Sequence, residues 1–212
     1  MIKIGLFPLN LIMFPEAMYP LHIFEERYKL LINSCYASGL EFGINFINSS
    51  GINEIGCTAI VSEVLKKYSD GKMDIIVQGI SRYRIMKLKE GEELYYTAEV
   101  EPFADDDFEI DKKILDEAVR MYNKIIEGIT SLKIDKINPD KLPVKYPSFL
   151  IAQKAGMTAE QKQSLLEIRS ENLRLKTISN HLRKVQPMIK RAEVISNIVK
   201  NDGYLNPWEL GK

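Results

Sequence analysis

Apolar residues dominate the stretch from Leu6 to Tyr28, LFPLNLIMFPEAMYPLHIFEERY, but Pro8, Pro15 and Pro20 interrupt it. Each proline fixes its own φ, removes a donor and pushes the preceding residue toward extended backbone, so no single helix runs through the stretch. The pattern predicts a short strand over Leu6 to Leu9, a bend, and an extended return through Met13 and Met18 to Leu21. Phe24, Tyr28, Leu31, Ile32 and Cys35 then recur at three- and four-residue spacing, which predicts a helix from Phe24 to Ala37. A strand that turns at prolines and leaves as an amphipathic helix is a closing element for a small barrel. Most of these apolar residues read as core. Met13, Phe14, Met18 and Tyr19 differ, because they flank the prolines where a loop is expected to be polar. Either they pack inward, or with Pro15 they form an exposed apolar lip, the candidate site for binding a peptide or protein.

From Glu41 to Pro102 the period is that of strands. Phe42, Ile44 and Phe46 alternate, and Cys57, Ala59, Val61 and Leu65 alternate against Thr58, Ser62 and Lys66, as in a half-buried strand. Asp70-Gly71 between two such runs predicts a hairpin, since both positions tolerate positive φ. Met73 to Gln78 is the partner strand, with Gly79 a bulge or turn. Tyr83 to Leu88 and Tyr95 to Val100 add two more strands around a turn at Glu90-Gly91. About six short strands at this spacing describe a barrel or sandwich, interrupted by one helix.

The character changes at Pro102. Ala104 to Asp107 is an acidic hinge that suits a helix amino terminus, and Ile110, Ile114, Leu115, Ala118, Met121, Tyr122, Ile125 and Ile126 form one helical stripe. Lys133 to Pro147 reads as a proline-bearing loop. Ser148 is placed to cap a short helix of Phe149 to Ala155, Gly156 to end it, and Thr158 with Gln161 to form a capping box. Leu175, Ile178, Leu182, Val185, Ile189 and Ala192 make a seam along the last helix. That seam serves either its own bundle or self-association, and Pro187 is expected to kink or end the helix. The expected organisation is a β-rich subdomain over 1–103 and a helical one over 104–212.

Composition narrows the function more by exclusion than by signal. Lys plus Arg and Asp plus Glu are 29 each, for a net charge of +0, which gives no support to a nucleic-acid partner. No apolar run is long enough to span a bilayer, and no secretory leader precedes the first strand, so a cytoplasmic location is expected. Cys35 and Cys57 read as reduced, buried small hydrophobes. His22 and His181, the only histidines, have no partner at metal-ligand spacing. Phosphate-cradling loops and nucleophile elbows are lacking, and neither a cofactor nor a metal nor a catalytic residue is expected. Arg82 and Arg84 alternate around Tyr83, a pattern open to anion binding or a carboxylate partner, with an exposed strand the favoured reading.

Several ordered segments carry a resemblance. FPLNLIMFPEAMYPLHIFEERY, IGCTAIVSEVLKKYSDGKMDIIVQGISRYRI and TAEVEPF look like the amino-terminal domain of Lon proteases. FLIAQKAGMTAEQKQSLLEIRSENLRLKTISNHL is similar to its helical part, so the likeness covers Leu6 to Arg183. The family implies an α+β fold, a PUA-like β pseudo-barrel with one interrupting helix followed by a C-terminal helical bundle. It also implies recognition of unfolded or tagged polypeptide. The chain resembles a stand-alone form without the ATPase and peptidase, and a non-catalytic protein- or peptide-binding module is expected. RNA binding, known among PUA-like barrels, is the alternative.

Overall fold

A computed structural model describes residues 2–91, 93–107, 109–129 and 133–200, with side chains to residue 192. Seven strands come first: β1 (Ile2–Leu9), β2 (Met18–Ile23), β3 (Phe42–Asn48), β4 (Gly51–Ile52), β5 (Ile55–Lys67), β6 (Met73–Lys89) and β7 (Thr97–Pro102). Helix α1 (Glu26–Ser38) lies between β2 and β3, and α2 (Lys112–Glu127), α3 (Pro147–Lys154), α4 (Ala159–Leu166) and α5 (Glu171–Lys200) follow. The chain forms two compact units, Met1–Phe108 with Thr158–Ser170, and Glu109–Met157 with Glu171–Lys212. They are not the consecutive halves 1–103 and 104–212, because α4 belongs with the strands.

In the first unit the sheet runs β1-β7-β6-β5-β3, and β1 also pairs with β3 in parallel, Leu6 opposite Gly43 through Leu9 opposite Phe46. The sheet therefore closes on itself as a ring of five strands, which removes the exposed edges of an open sheet. Its core includes Ile4, Leu6, Tyr83, Ala98 and Val100. Tyr83 fits because position 43 is glycine, where a Cβ would stand 2.1 Å from the Tyr83 hydroxyl. That hydroxyl donates to Asn45 Oδ1, and Asn45 Nδ2 donates to the Asn53 carbonyl at 2.9 Å. A buried polar pair is tolerated because its hydrogen bonds are made. Burial pushes the Tyr83 phenol well above its ordinary pKa.

Strands β5 and β6 outrun the ring, and their far halves carry β2 as a third strand, Met18 opposite Gln78 through Ile23 opposite Met73. The result is a three-stranded arm ending in the expected hairpin, with Gly71 at φ 80°. Gly79 borders a bulge, as expected: the register with β5 slips between Ala59 opposite Gly79 and Cys57 opposite Arg82, while β6 itself runs on from Met73 to Lys89. Gly79 also permits close approach: a Cβ there would lie 2.1 Å from the Phe14 carbonyl oxygen.

Asp105, Asp106 and Asp107 do not start a helix. Asp111 is the N-cap of α2, its side chain accepting from the Lys113 N–H at 2.8 Å. The three upstream carboxylates hold the returning segment of the first unit instead. Asp105 pairs with Arg82, Asp106 with Arg169 at 2.7 Å, and Asp107 accepts from Ser170 at 2.8 Å. Arg82 is only 4% exposed, against the expectation of a solvated strand residue, and Nη1 also donates to the Leu166 and Ile168 carbonyls, each at 2.8 Å. Those two carbonyls lie at and beyond the end of α4, where carbonyls lack helical donors. A buried cation is stable only when its charge and donors are matched, and here they are.

In the second unit α2 packs on α5, burying Ala118, Val119, Tyr122 and Ile125 on the former and Leu175, Ile178 and Leu182 on the latter. Ser148 does not cap α3; it lies inside the first turn. Its N–H and hydroxyl both donate to the Glu171 carboxylate at 2.7 Å, and the Arg174 Nε donates to the Ser148 hydroxyl at 3.0 Å. Glu171 thus supplies the cap from another helix. The Thr158–Gln161 capping box is present, and Gly156 is left-handed at φ 67° after α3. Pro187 does not end α5, which continues to Lys200.

The segment before α3 is tied to α2 near its start, where Lys136 also pairs with Glu127 at 2.8 Å. Asn123 exchanges two hydrogen bonds with the Ile137 backbone, at 2.8 and 2.9 Å, whereas Val144 is 94% exposed. Trypsin is expected to cut first at Lys141 or Lys145, because cleavage follows unprotected backbone. Mass spectrometry of the first fragments checks this, and early cleavage within Ile75 to Ile85 would contradict the closed barrel.

Candidate functional site

The lip divides. Met13 and Phe14 are 1% and 0% exposed, and Pro15 is buried with them. The expectation of an exposed apolar loop fails at these three residues. A surface turn was expected because buried loops leave polar backbone groups unpaired, but here they are paired. The Glu16 N–H donates to the Gly79 carbonyl at 2.9 Å, the Gly79 N–H to the Ala17 carbonyl at 2.9 Å, and the Ala17 N–H to the Phe14 carbonyl at 3.2 Å. Pro15 followed by Glu16 at φ 64° is the signature of a type II turn.

Met18 and Tyr19 lie beyond the turn on β2 and face opposite ways. Tyr19, opposite Val77, shares the inward face and is half-buried, and burial raises its phenol pKa. Met18, opposite Gln78, lies on the outer face and is 57% exposed. Registers across the arm build that face in rows. Met18, Gln78 and Ile60 form one, Pro20, Ile76 and Glu63 the next, and His22, Asp74 and Lys66 the last. Ile80 extends the apolar end at 37% exposure. An apolar patch thus grades into a polar tip along three strands.

At the tip Asp74 holds two partners, the His22 Nδ1 at 2.6 Å and the Tyr68 hydroxyl at 2.7 Å. These two hydrogen bonds, the histidine's first, keep the Asp74 carboxyl below its usual range. The Lys66 ammonium sits 4.5 Å from the Tyr68 ring centroid. The sequence showed no partner for His22 because the carboxylate lies 52 residues away, brought opposite by strand pairing. The arrangement pins β2 to β6. His181 is likewise structural, its Nε2 lying 3.0 Å from the Ala155 carbonyl oxygen.

Other chemistry is sparse. Among the described residues no cluster of His, Cys, Asp or Glu is placed to hold a metal, and no helix is long and apolar enough to cross a membrane. Cys35 and Cys57 are free and buried, and burial pushes both thiols above their ordinary pKa, which makes them unreactive. A hollow of about 570 Å³ in the second unit is lined by charges of both signs, including Asp116, Arg120, Lys124 and Glu127. No single ligand charge suits it.

Comparison with known proteins agrees with this architecture. The chain is 24% identical to Lon protease 2 of Syntrophobacter fumaroxidans over 94% of its own length, and 23% identical to Lon protease 2 of Myxococcus xanthus over 91%. It spans about a quarter of the length of these relatives, 26% and 25%. The fold is that of a Lon N-terminal domain protein from Xanthomonas campestris, with a TM-score of 0.62 at 21% identity, over 84% of this chain and 97% of the other. The N-terminal domain of the Mycobacterium avium complex Lon protease matches at TM-score 0.59 and 17% identity, over 85% and 98%. Residues 3–184 fit the family model of the ATP-dependent protease La (LON) substrate-binding domain, and the chain belongs to that family.

Proposed function

We propose that this chain is a non-catalytic module that binds unfolded or extended polypeptide on the outer face of the β2–β6–β5 arm and acts in the cytoplasm. The observation that carries the reading is the apolar patch of Met18, Pro20, Ile76, Ile60 and Ile80 on a rigid, hydrogen-bonded sheet. Methionine and isoleucine at an exposed face suit varied apolar partners. Membership of a substrate-binding family supports the same reading. Of the candidate lip, Met18 and Tyr19 remain at the proposed site, while Met13, Phe14 and Pro15 support it from below. Addition of a peptide as a further strand beside β2 is disfavoured, because Pro20 removes a donor from the middle of that strand.

The test is binding of fluorescein-labelled reduced casein by fluorescence anisotropy, with gel analysis of the recovered casein. Casein is expected to bind and to be recovered uncut. The double variant Met18→Ser, Ile80→Ser is expected to weaken binding about tenfold, the order of effect of losing two apolar contacts, with the melting curve little changed. Full-strength binding by the folded variant, or casein cleavage by wild type, would refute the reading.

A further inference from the structure

The ring of strands is open at the end where β1 and β3 begin and β7 finishes, and a cleft of about 350 Å³ enters there. That volume lies within the range of sites that enclose a side chain or small ligand. Ile2, Ile4, Tyr83, Val100 and Pro102 line it together with Leu40 and Glu41. Ile2 and Leu40 are each 64% exposed, so the mouth offers apolar surface to solvent.

Four charged residues line the cleft, Lys3, Glu41, Arg82 and Glu101, and all but Glu41 are engaged with other groups. Glu41 is exposed and makes no hydrogen bond or ion pair among the described residues. Helix α1 ends beside it, with Gly39 left-handed at φ 66° and no basic residue in its own last turn, so the negative end of the helix dipole adds to the Glu41 charge. Arg82 reaches the cleft's lining, but its guanidinium belongs to Asp105 and the carbonyls beyond α4. Lys3 and Glu101 are turned to the barrel's outer face by register, Lys3 opposite Glu99 and Glu101 opposite Arg84.

We propose that this cleft takes one large apolar side chain of an extended polypeptide, with a lysine or arginine next to it lying against Glu41 and the carboxyl end of α1. The proposal rests on the polypeptide-binding reading and deepens it, adding a second contact point and a sequence preference. An apolar residue followed by a base would be held by burial and by charge at once, and one followed by an acid would be repelled.

The experiment uses short fluorescein-labelled peptides, alike except for a central Phe-Lys, Phe-Glu or Ser-Lys pair, with labelled casein beside them. Wild type is expected to prefer Phe-Lys over Phe-Glu by about fivefold, the size of a partly screened ion pair. Glu41→Lys should reverse that order. Leu40→Ser should weaken both Phe peptides and leave Ser-Lys unchanged, while Met18→Ser should leave the Phe-Lys preference in place. Both Glu41 and Leu40 are exposed, so these variants are expected to fold, which circular dichroism confirms. Equal binding of Phe-Lys and Phe-Glu, or an unaltered order in Glu41→Lys, overturns the cleft assignment while casein binding upholds the general reading. Absence of binding to every peptide and to casein overturns both.

Discussion

Asp105→Ala is expected to destabilise the barrel unit by about 3–5 kcal/mol, the usual cost of leaving one member of a buried ion pair uncompensated. The Arg82 and Asp105 side chains are 1% and 3% exposed, so water cannot replace the lost carboxylate. The Arg82 guanidinium also lies 5.1 Å from the Phe103 ring centroid, a contact that positions it without neutralising it. Urea unfolding followed by circular dichroism measures the loss. Asp106→Ala is the control. Its partner Arg169 is 47% exposed, and such surface pairs contribute at most about 1 kcal/mol. The double replacement Arg82→Met, Asp105→Leu should recover much of the stability, because removing both charges leaves neither buried alone. Near-wild-type stability of Asp105→Ala would mean that Arg82 is not held by charge.

Phe14→Ala carries the second large effect, about 3–5 kcal/mol from lost burial and the cavity left behind. Phe14 is 0% exposed, and its backbone is locked against Gly79 by the close approach that only glycine permits. Met18→Ser, four residues later and 57% exposed, should stay within about 0.5 kcal/mol. Thermal melts of the two variants side by side separate them. Equal, small shifts would place Phe14 at the surface and restore the full lip.

What the sequence disclosed was local. Alternation at Cys57, Ala59 and Val61, the Asp70-Gly71 turn, the Thr158–Gln161 box and the seam of Leu175, Ile178 and Leu182 each lie within a few residues, where period and turn chemistry act. The family resemblance supplied the barrel's class. The misreadings share one cause: a partner far along the chain. Arg82 reads as a solvated strand residue until Leu166 and Ile168, 84 and 86 residues on, bring their carbonyls to it. Met13 and Phe14 read as loop surface until Gly79 supplies the hydrogen bonds that let a turn be buried. The candidate site split for the same reason, because the two faces of β2 are told apart only by its register with β6. Glu41 drew no attention, since one carboxylate in a sequence says nothing of the cleft beside it.

The division of the chain has a consequence for anyone who would work with its parts. The first unit resumes at Thr158 after an excursion of the second, and the second resumes at Glu171. The backbone passes from one unit to the other three times, so no single stop codon yields either one whole. A piece ending at Phe108 would leave Arg82 without the carbonyls it needs, and a ribosome would have to pass Ser170 before the barrel's last segment existed. Cloning the barrel alone therefore calls for splicing Phe108 to Thr158 through a designed linker, not for a shorter primer.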